Sequence, residues 1–318
     1  MKPLFIIIGL AFYFLGETFT PFSTYECLSF SLFVYAILSF VDDLGKKMVM
    51  LDVAILIAII TCLLLPIAGY HHFNFLNASA RMWVIYMRVP SDQYYSFMFP
   101  ATIAMIVGMK IPVFFKNSTY PNQETYMLKV KAYLSKSRWQ GLILVSIGVF
   151  SSVIQKFVPS SIAFVFFLLS YLMFVGIFYC LYSKIPYKRL ILTGVFGLLA
   201  IRSISAGMFG EMVFISALTV ILLALGYKIS FPKKLGILLT GMFAIMILQA
   251  VKPAFRKQTW AGRSQGREIS IFAEVLGEKI RNPFSFVDDE RVLFTMYGRF
   301  NQGQIISNVL YSVPSRFP

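Results

Sequence analysis

The sequence predicts an all-α polytopic membrane protein with about nine membrane-spanning helices. Of its 318 residues, 58% are hydrophobic and only 14% are charged, whereas a soluble domain carries about 25% charged residues. Long apolar runs fill most of the first 255 residues, and each approaches the roughly 20 residues that cross a bilayer. Backbone groups in lipid must find hydrogen-bond partners within their own segment, so these runs are predicted to be helices.

The predicted spans are separated by short polar or proline-containing breaks, for example at Pro21 and Pro159. We predict helices near residues 3–20, 24–41, 51–70, 96–115, 140–157, 161–183, 190–208, 211–227 and 235–254. The cysteines lie inside apolar runs and form no CxxC pair, which argues against disulfide or metal roles.

The charge pattern predicts the orientation of the chain. With the N-terminus in the cytoplasm, the short inner loops hold fourteen Lys and Arg residues and the short outer loops hold three, as the positive-inside rule requires. In a soluble protein the net charge of +15 would suggest a nucleic-acid partner; here it sets topology, and no nucleic-acid partner is expected. The sequence thus divides into a transmembrane domain, residues 1–254, and an extracytoplasmic helical segment, residues 255–318.

Residues 123–139 form a predicted inner loop, and their pattern is typical of a basic amphipathic helix. Met127, Val130 and Leu134 share one face, and lysines occupy the others. We expect this helix to rest on the anionic inner leaflet, so membrane lipids are predicted partners. A purely topological role for the same residues is the simpler interpretation.

The outer segment is rich in arginine: seven of the ten basic residues between positions 252 and 318 are Arg. A guanidinium group can bind phosphate through two parallel hydrogen bonds and keeps its charge. Arg263 and Arg267 lie four residues apart between glycines, and Arg291 and Arg299 lie on a predicted helix, residues 288–300. Taken singly, each arginine is more typical of a solvated or salt-bridged side chain.

Two charged residues lie in or beside the seventh predicted span. Arg202 is about twelve residues into that span, and Glu211 begins the next one. A charge at such depth is costly unless it pairs or faces a wet cavity. Either the two side chains form a structural pair, or Arg202 extends to the outer interface, or it binds an anionic ligand from a cavity.

Three further residues are candidates at the outer membrane edge. His72 could accept a proton near neutral pH, and Trp83 and Trp260 could stack on sugar rings. All three also fit an interfacial belt of amphipathic rings. No HExxH, Walker A, G-x-S-x-G or GxGxxG element is present. Asp288-Asp289-Glu290 is better explained as a charge-paired turn than as a metal site, so no metal is expected.

Two stretches resemble bacterial oligosaccharide repeat-unit polymerases of the O-antigen and capsule type. One stretch is Arg202-Ser-Ile-Ser-Ala-Gly-Met-Phe-Gly-Glu211, and the other runs from Arg299 to Pro318. Members of that family usually continue with further spans after their large outer loop. Either this sequence is cut short or its last segment is atypical.

The resemblance implies a metal-independent glycosyltransferase of the bacterial inner membrane, with no cofactor. Its substrate would be an undecaprenyl-pyrophosphate-linked oligosaccharide on the outer face, and a chain-length regulator is a candidate partner. Arg202, Arg263, Arg267, Arg291 and Arg299 would serve the pyrophosphate, because fixed cations stabilise the charge of a leaving diphosphate. Glu211 would accept the proton of the attacking sugar hydroxyl, and His72 is the second candidate for that role.

Two other functions fit the same residues. A transporter or flippase for a lipid-linked or anionic solute would also need a buried cation in a wet cavity, and interrupted helices in matching halves would favour it. A non-catalytic membrane component would use the outer segment as a docking surface.

Overall fold

The computed structural model describes residues 2–115, 123–136, 139–155, 157–183, 185–225, 229–260, 266–282 and 290–313, without the side chains of 112–115, 123–124, 126–127 and 290–292. Helix accounts for 84% of the structure, and the described residues contain no strand. The predicted all-α membrane architecture is therefore confirmed.

The helices follow the predicted spans closely. They are α1 Lys2–Phe19, α2 Thr24–Asp43, α3 Met50–Ile59, a π-helical segment Ile60–Leu64, α4 Leu65–His71, α5 Ala78–Met82, α6 Ser91–Phe115, α7 Gln123–Lys136, α8 Gln140–Ile154, α9 Ser160–Ser170, α10 Leu172–Tyr182, α11 Lys188–Ala206, α12 Gly210–Ala224, α13 Phe231–Gln258, α14 Glu268–Arg281, α15 Glu290–Phe300 and α16 Gln302–Ser312. Among the described residues, seven helical stretches are long and apolar enough to cross a membrane. The remaining two predicted spans correspond to α8 and α12, of 15 residues each.

The chain forms two compact units. Unit 1 comprises residues 1–117, 228–257 and 274–318, and unit 2 comprises residues 118–227 and 258–273. Each unit combines membrane helices with part of the segment after α13. The predicted boundary at residue 254 concerns the edge of the membrane, and it stays a prediction.

Lysines gather at one end of unit 1. Lys2 lies 3.5 Å from Asp43, and Lys47 lies 2.9 Å from both Asp43 and Asp52. Lys234, at the start of α13, donates to the backbone carbonyl of Asp42 over 2.9 Å. Burial lowers the pKa of Lys47, but its hydrogen bonds to Asp52 and Asp43 outweigh burial, so this pKa lies above its ordinary value.

This lysine-rich end fixes the direction of the helices in unit 1. The first residues of α1, α3 and α13 meet the last residues of α2 there, so α1, α3 and α13 run the same way and α2 runs back. Lys110, near the end of α6, lines one small cavity with Asp52, which places the end of α6 on that side too.

The span from α3 to α4 is interrupted by the π-helical segment, and the sequence explains why. Pro66 has no backbone N–H, so the carbonyl of Cys62 loses its helical donor. The hydroxyl of Tyr94 donates to that carbonyl over 2.7 Å, and the hydroxyl of Tyr95 donates to the carbonyl of Leu63 over 2.7 Å. Both tyrosines are fully buried. Side chains of α6 thus satisfy backbone groups that lipid could not.

Helices α15 and α16 are held against the opposite end of unit 1. The Tyr297 ring stacks on Phe73 with centroids 4.5 Å apart, and Gly69 allows the Tyr297 hydroxyl to approach α4, because a Cβ there would lie 2.2 Å from it. The hydroxyl of Ser307 in α16 accepts backbone N–H bonds from Arg88 (2.7 Å) and Val89. Burial raises the pKa of Tyr297 despite a hydrogen bond from Asn301, so its hydroxyl stays neutral.

In unit 2, α8 and α10 pack through glycines. A Cβ at Gly148 would lie 2.4 Å from the backbone nitrogen of Met173, and one at Gly176 would lie 2.7 Å from that of Val145. Small residues at such positions let two membrane helices approach closely. Helix α11 ends at Gly207, whose φ of 61° suits glycine, and α12 begins three residues later.

Candidate functional site

A cavity in unit 1 lies between α13 and α15, and three cationic side chains line it. We call it the three-cation cavity; its cations are Lys252, Arg256 and Arg299, and its volume is about 170 Å³. The other described residues that line it are Gln249, Pro253, Thr295 and Met296. It lies at the end of α13 remote from Lys234, and therefore opposite the lysine-rich end.

The two helices position the cations by simple periodicity. Lys252 and Arg256 are four residues apart on α13, so they share one face. Thr295 and Arg299 repeat the same spacing on α15. Met296 packs on Ala250 of α13, so the two faces meet directly beneath the charged groups.

The opposite face of α15 packs against Phe73, just after α4. Tyr297 is turned away from Arg299 by about 200° of helix rotation, and it is the residue that stacks on Phe73. Helix α15 is therefore wedged between α13 and the end of α4. This two-sided packing holds Arg299 over the cavity, although Arg299 itself is exposed.

Three like charges around one small cavity repel one another, and an anion placed between them removes that repulsion. Lys252 and Arg256 are half-buried, and partial burial strengthens the attraction for an anion relative to bulk water. Two of the three groups are guanidinium forks that suit phosphate oxygens. The cavity is thus suited to a phosphate or diphosphate group.

A buried carboxylate forms a second polar centre in unit 1. Glu26 is 2% exposed, and its carboxylate accepts hydrogen bonds from the Ser23 backbone N–H (2.8 Å) and the Ser91 hydroxyl (3.1 Å). The Nε2 atom of His71 lies 3.2 Å from it. The start of α2, the end of α4 and the start of α6 are joined there. The side chain of His71 is 38% exposed, so solvent or a ligand can reach its ring.

The arginines predicted from the sequence are distributed over both units. Arg299 lines the three-cation cavity, whereas Arg267 belongs to unit 2 and is exposed. Arg263 lies outside the described residues, and Arg291 belongs to α15 with a side chain that is not described. Among the predicted arginines, the described side chains bring only Arg299 into this cavity.

Arg202 and Glu211 both lie in unit 2, on either side of the turn at Gly207. They form no ion pair with each other within 4.0 Å, so the structural pair considered above is not formed. Arg202 is half-buried. One carboxylate oxygen of Glu211 is buried without a hydrogen-bond partner, at a helix N-terminus that favours negative charge.

The remaining predicted residues lie at exposed positions. His72 follows the last residue of α4, and its ring meets the Phe73 ring edge-on with centroids 4.6 Å apart. Trp83, after α5, and Trp260, after α13, are both exposed. None of these three lines the three-cation cavity.

Sequence reasoning missed two features of unit 1. The sequence does not distinguish Lys252 and Arg256 from the other basic residues of the outer segment, because their i, i+4 spacing becomes meaningful only once α15 packs across it. The pairing of His71 with Glu26 joins residues 45 positions apart, whereas the sequence prediction concerns the adjacent His72. The capping-box pattern of Ser23 and Glu26 was the only local signal for that centre.

No family model, curated protein or solved structure matches this chain. The fold and composition define its class: it is an all-α polytopic membrane protein.

Proposed function

We propose that this protein is a membrane glycosyltransferase that polymerises undecaprenyl-pyrophosphate-linked oligosaccharide repeat units on the outer face of the bacterial inner membrane. The observation that carries the proposal is the three-cation cavity, which joins Lys252, Arg256 and Arg299 at the end of unit 1 opposite the lysine-rich end. By the positive-inside rule the lysine-rich end is cytoplasmic, so the cavity opens outside.

In this reaction the cations would stabilise the leaving diphosphate. A hydroxyl oxygen of the acceptor sugar bonds to the anomeric carbon of the donor, and the bond from that carbon to the diphosphate breaks. The leaving diphosphate takes up the electron pair and gains negative charge. Cations fixed in place before the reaction stabilise that charge without reorganising.

A second group must take the proton of the attacking hydroxyl. Glu211 and His72 are the candidates from the sequence. His71 joins them, because Glu26 orients its ring through Nε2 and its Nδ1 atom has no hydrogen bond within the described part of the chain. A carboxylate that holds one ring nitrogen leaves the other to act as a base.

The alternative is a transporter or flippase for a lipid-linked or anionic solute, and interrupted spans favour it. One span in unit 1 is interrupted by the π-helical segment, and one in unit 2 is interrupted between α9 and α10 at Tyr171. The carbonyls at the first break already accept hydrogen bonds from Tyr94 and Tyr95, so they are not available to a solute. For this reason polymerisation is the preferred function. A non-catalytic assembly component is the third possibility.

Extension of a purified lipid-linked repeat unit in liposomes tests the proposal. We expect wild-type protein to give longer glycans, and Arg299→Gln and Lys252→Gln to slow extension at least tenfold, as the loss of one charged hydrogen bond of about 1.5–3 kcal/mol implies. Arg281→Gln is the matched control, because Arg281 is an exposed arginine of α14 outside the cavity. Movement of the lipid-linked unit across the bilayer without extension would favour the transporter.

A further inference from the structure

A groove on unit 2 lies between the amphipathic helix α7 and the last turns of α10 and α12. Its volume is about 500 Å³. Three leucines form most of its apolar lining: Leu128, Leu181 and Leu223. Leu128 and Leu223 are also exposed. Its polar lining comprises Lys131, Ser135 and Tyr182.

The polar lining carries the cation Lys131, and two backbone carbonyls at the groove already accept hydrogen bonds. The Lys131 ammonium lies 5.7 Å from the centre of the Tyr182 ring. The Tyr182 hydroxyl donates to the carbonyl of Leu222 over 2.7 Å, and Lys188 donates to the carbonyl of Leu181 over 3.4 Å. Free carbonyls at a helix C-terminus repel anions. Here the carbonyls of Leu222 and Leu181 are occupied by these two donors.

We propose that this groove binds an anionic phospholipid. The lipid phosphate lies against Lys131, and an acyl chain follows the three leucines. The site takes one lipid from the bilayer, and it is independent of the reaction proposed for unit 1.

Depth and charge both select this occupant. The groove lies where α10 and α12 end, which is the level of the lipid headgroups for helices that cross the membrane. Helix α7 adds Lys129 and Lys136 on its exposed surface, and a basic amphipathic helix at this level attracts anionic lipid. A free phosphate ion would leave the leucines exposed, and a zwitterionic lipid would bring its own cationic group beside the lysines.

Thermal unfolding of the full chain in a neutral detergent tests the site. Phosphatidylglycerol is titrated against phosphatidylcholine of the same acyl chains, and a lipid that binds the folded state raises the Tm. Wild-type protein is expected to show a larger rise with phosphatidylglycerol. Lys131→Gln should weaken the apparent affinity for phosphatidylglycerol about fivefold, which corresponds to one lysine near an anionic lipid.

Two further variants separate a bound lipid from general attraction. Lys129→Gln removes an exposed charge of the same helix that does not line the groove, and it should retain the wild-type difference between lipids. Ser135→Glu keeps Lys131 but places a carboxylate in the groove, and it should abolish the difference. Because each variant is compared with itself in two lipids, a change in its basal Tm does not affect the result.

Three results would overturn the proposal. They are equal Tm rises with both lipids in the wild type, equal losses in Lys129→Gln and Lys131→Gln, and a rise with inorganic phosphate as large as that with phosphatidylglycerol. Native mass spectrometry of the wild type should also retain one phosphatidylglycerol molecule that Lys131→Gln loses.

Discussion

The substitution Gly303→Ala should dislodge α16 and disturb the three-cation cavity. A Cβ at residue 303 would lie 2.4 Å from the ring of Pro66 and 2.5 Å from the Tyr94 hydroxyl, whereas ordinary contact begins at 3.4 Å. The added carbon is therefore about 1 Å too close to a rigid ring and to a hydroxyl fixed on Cys62. Such overpacking costs about 1–3 kcal/mol, and the helix propensity of alanine recovers at most about 1 kcal/mol.

We expect a net destabilisation of about 1–2 kcal/mol, which lowers the Tm by roughly 2–8 °C for a chain of this size. Thermal unfolding in detergent measures it. Gly298→Ala is the matched control in α15, because a Cβ there meets only Ile85, at 3.7 Å, and should leave the Tm unchanged or raise it. Only one residue, Asn301, separates α15 from α16, so Gly303→Ala should also reduce glycan extension. Equal Tm values for the two variants would refute the packing described here.

Three other perturbations have defined outcomes. Gly148→Ala forces α8 from α10 and should destabilise by about 1–3 kcal/mol, whereas Gly197→Ala, which has open space, should stabilise slightly; the same sign for both would contradict this. Tyr94→Phe leaves the carbonyl at the π-helical segment without a donor and should cost about 1–3 kcal/mol, whereas Tyr171→Phe should be nearly neutral in the same unfolding assay. Glu26→Gln replaces a carboxylate that contacts three hydrogen-bonding groups by an amide, whose NH2 group cannot accept a hydrogen bond. This change should destabilise the fold by several kcal/mol. An unchanged denaturation midpoint would show that the carboxylate is not needed.

The membrane fold could be predicted from sequence because it depends on local composition. In lipid, an apolar run of about 20 residues can form all of its backbone hydrogen bonds only as a helix. In the structure, each predicted span contains helix. Span length was harder to predict. For example, the predicted span 211–227 contains a 15-residue helix, Gly210–Ala224, and residues 226 and 227 of that span lie outside the described residues.

The candidate site was less predictable, because it depends on which helices meet. Arg299 is predictable from its residue type and its predicted side of the membrane. Its companions Lys252 and Arg256 became visible only through the packing of Met296 on Ala250. The interrupted span had a signal in Pro66, but the tyrosines that compensate for it lie about 30 residues away, on α6.

The affinity of the purified protein for undecaprenyl diphosphate tests most directly whether the three-cation cavity binds a diphosphate group. We predict saturable binding that weakens at least tenfold in Arg299→Gln and in Lys252→Gln, and that Arg281→Gln leaves unchanged. Equal affinity in all four proteins would show that these cations do not hold the diphosphate.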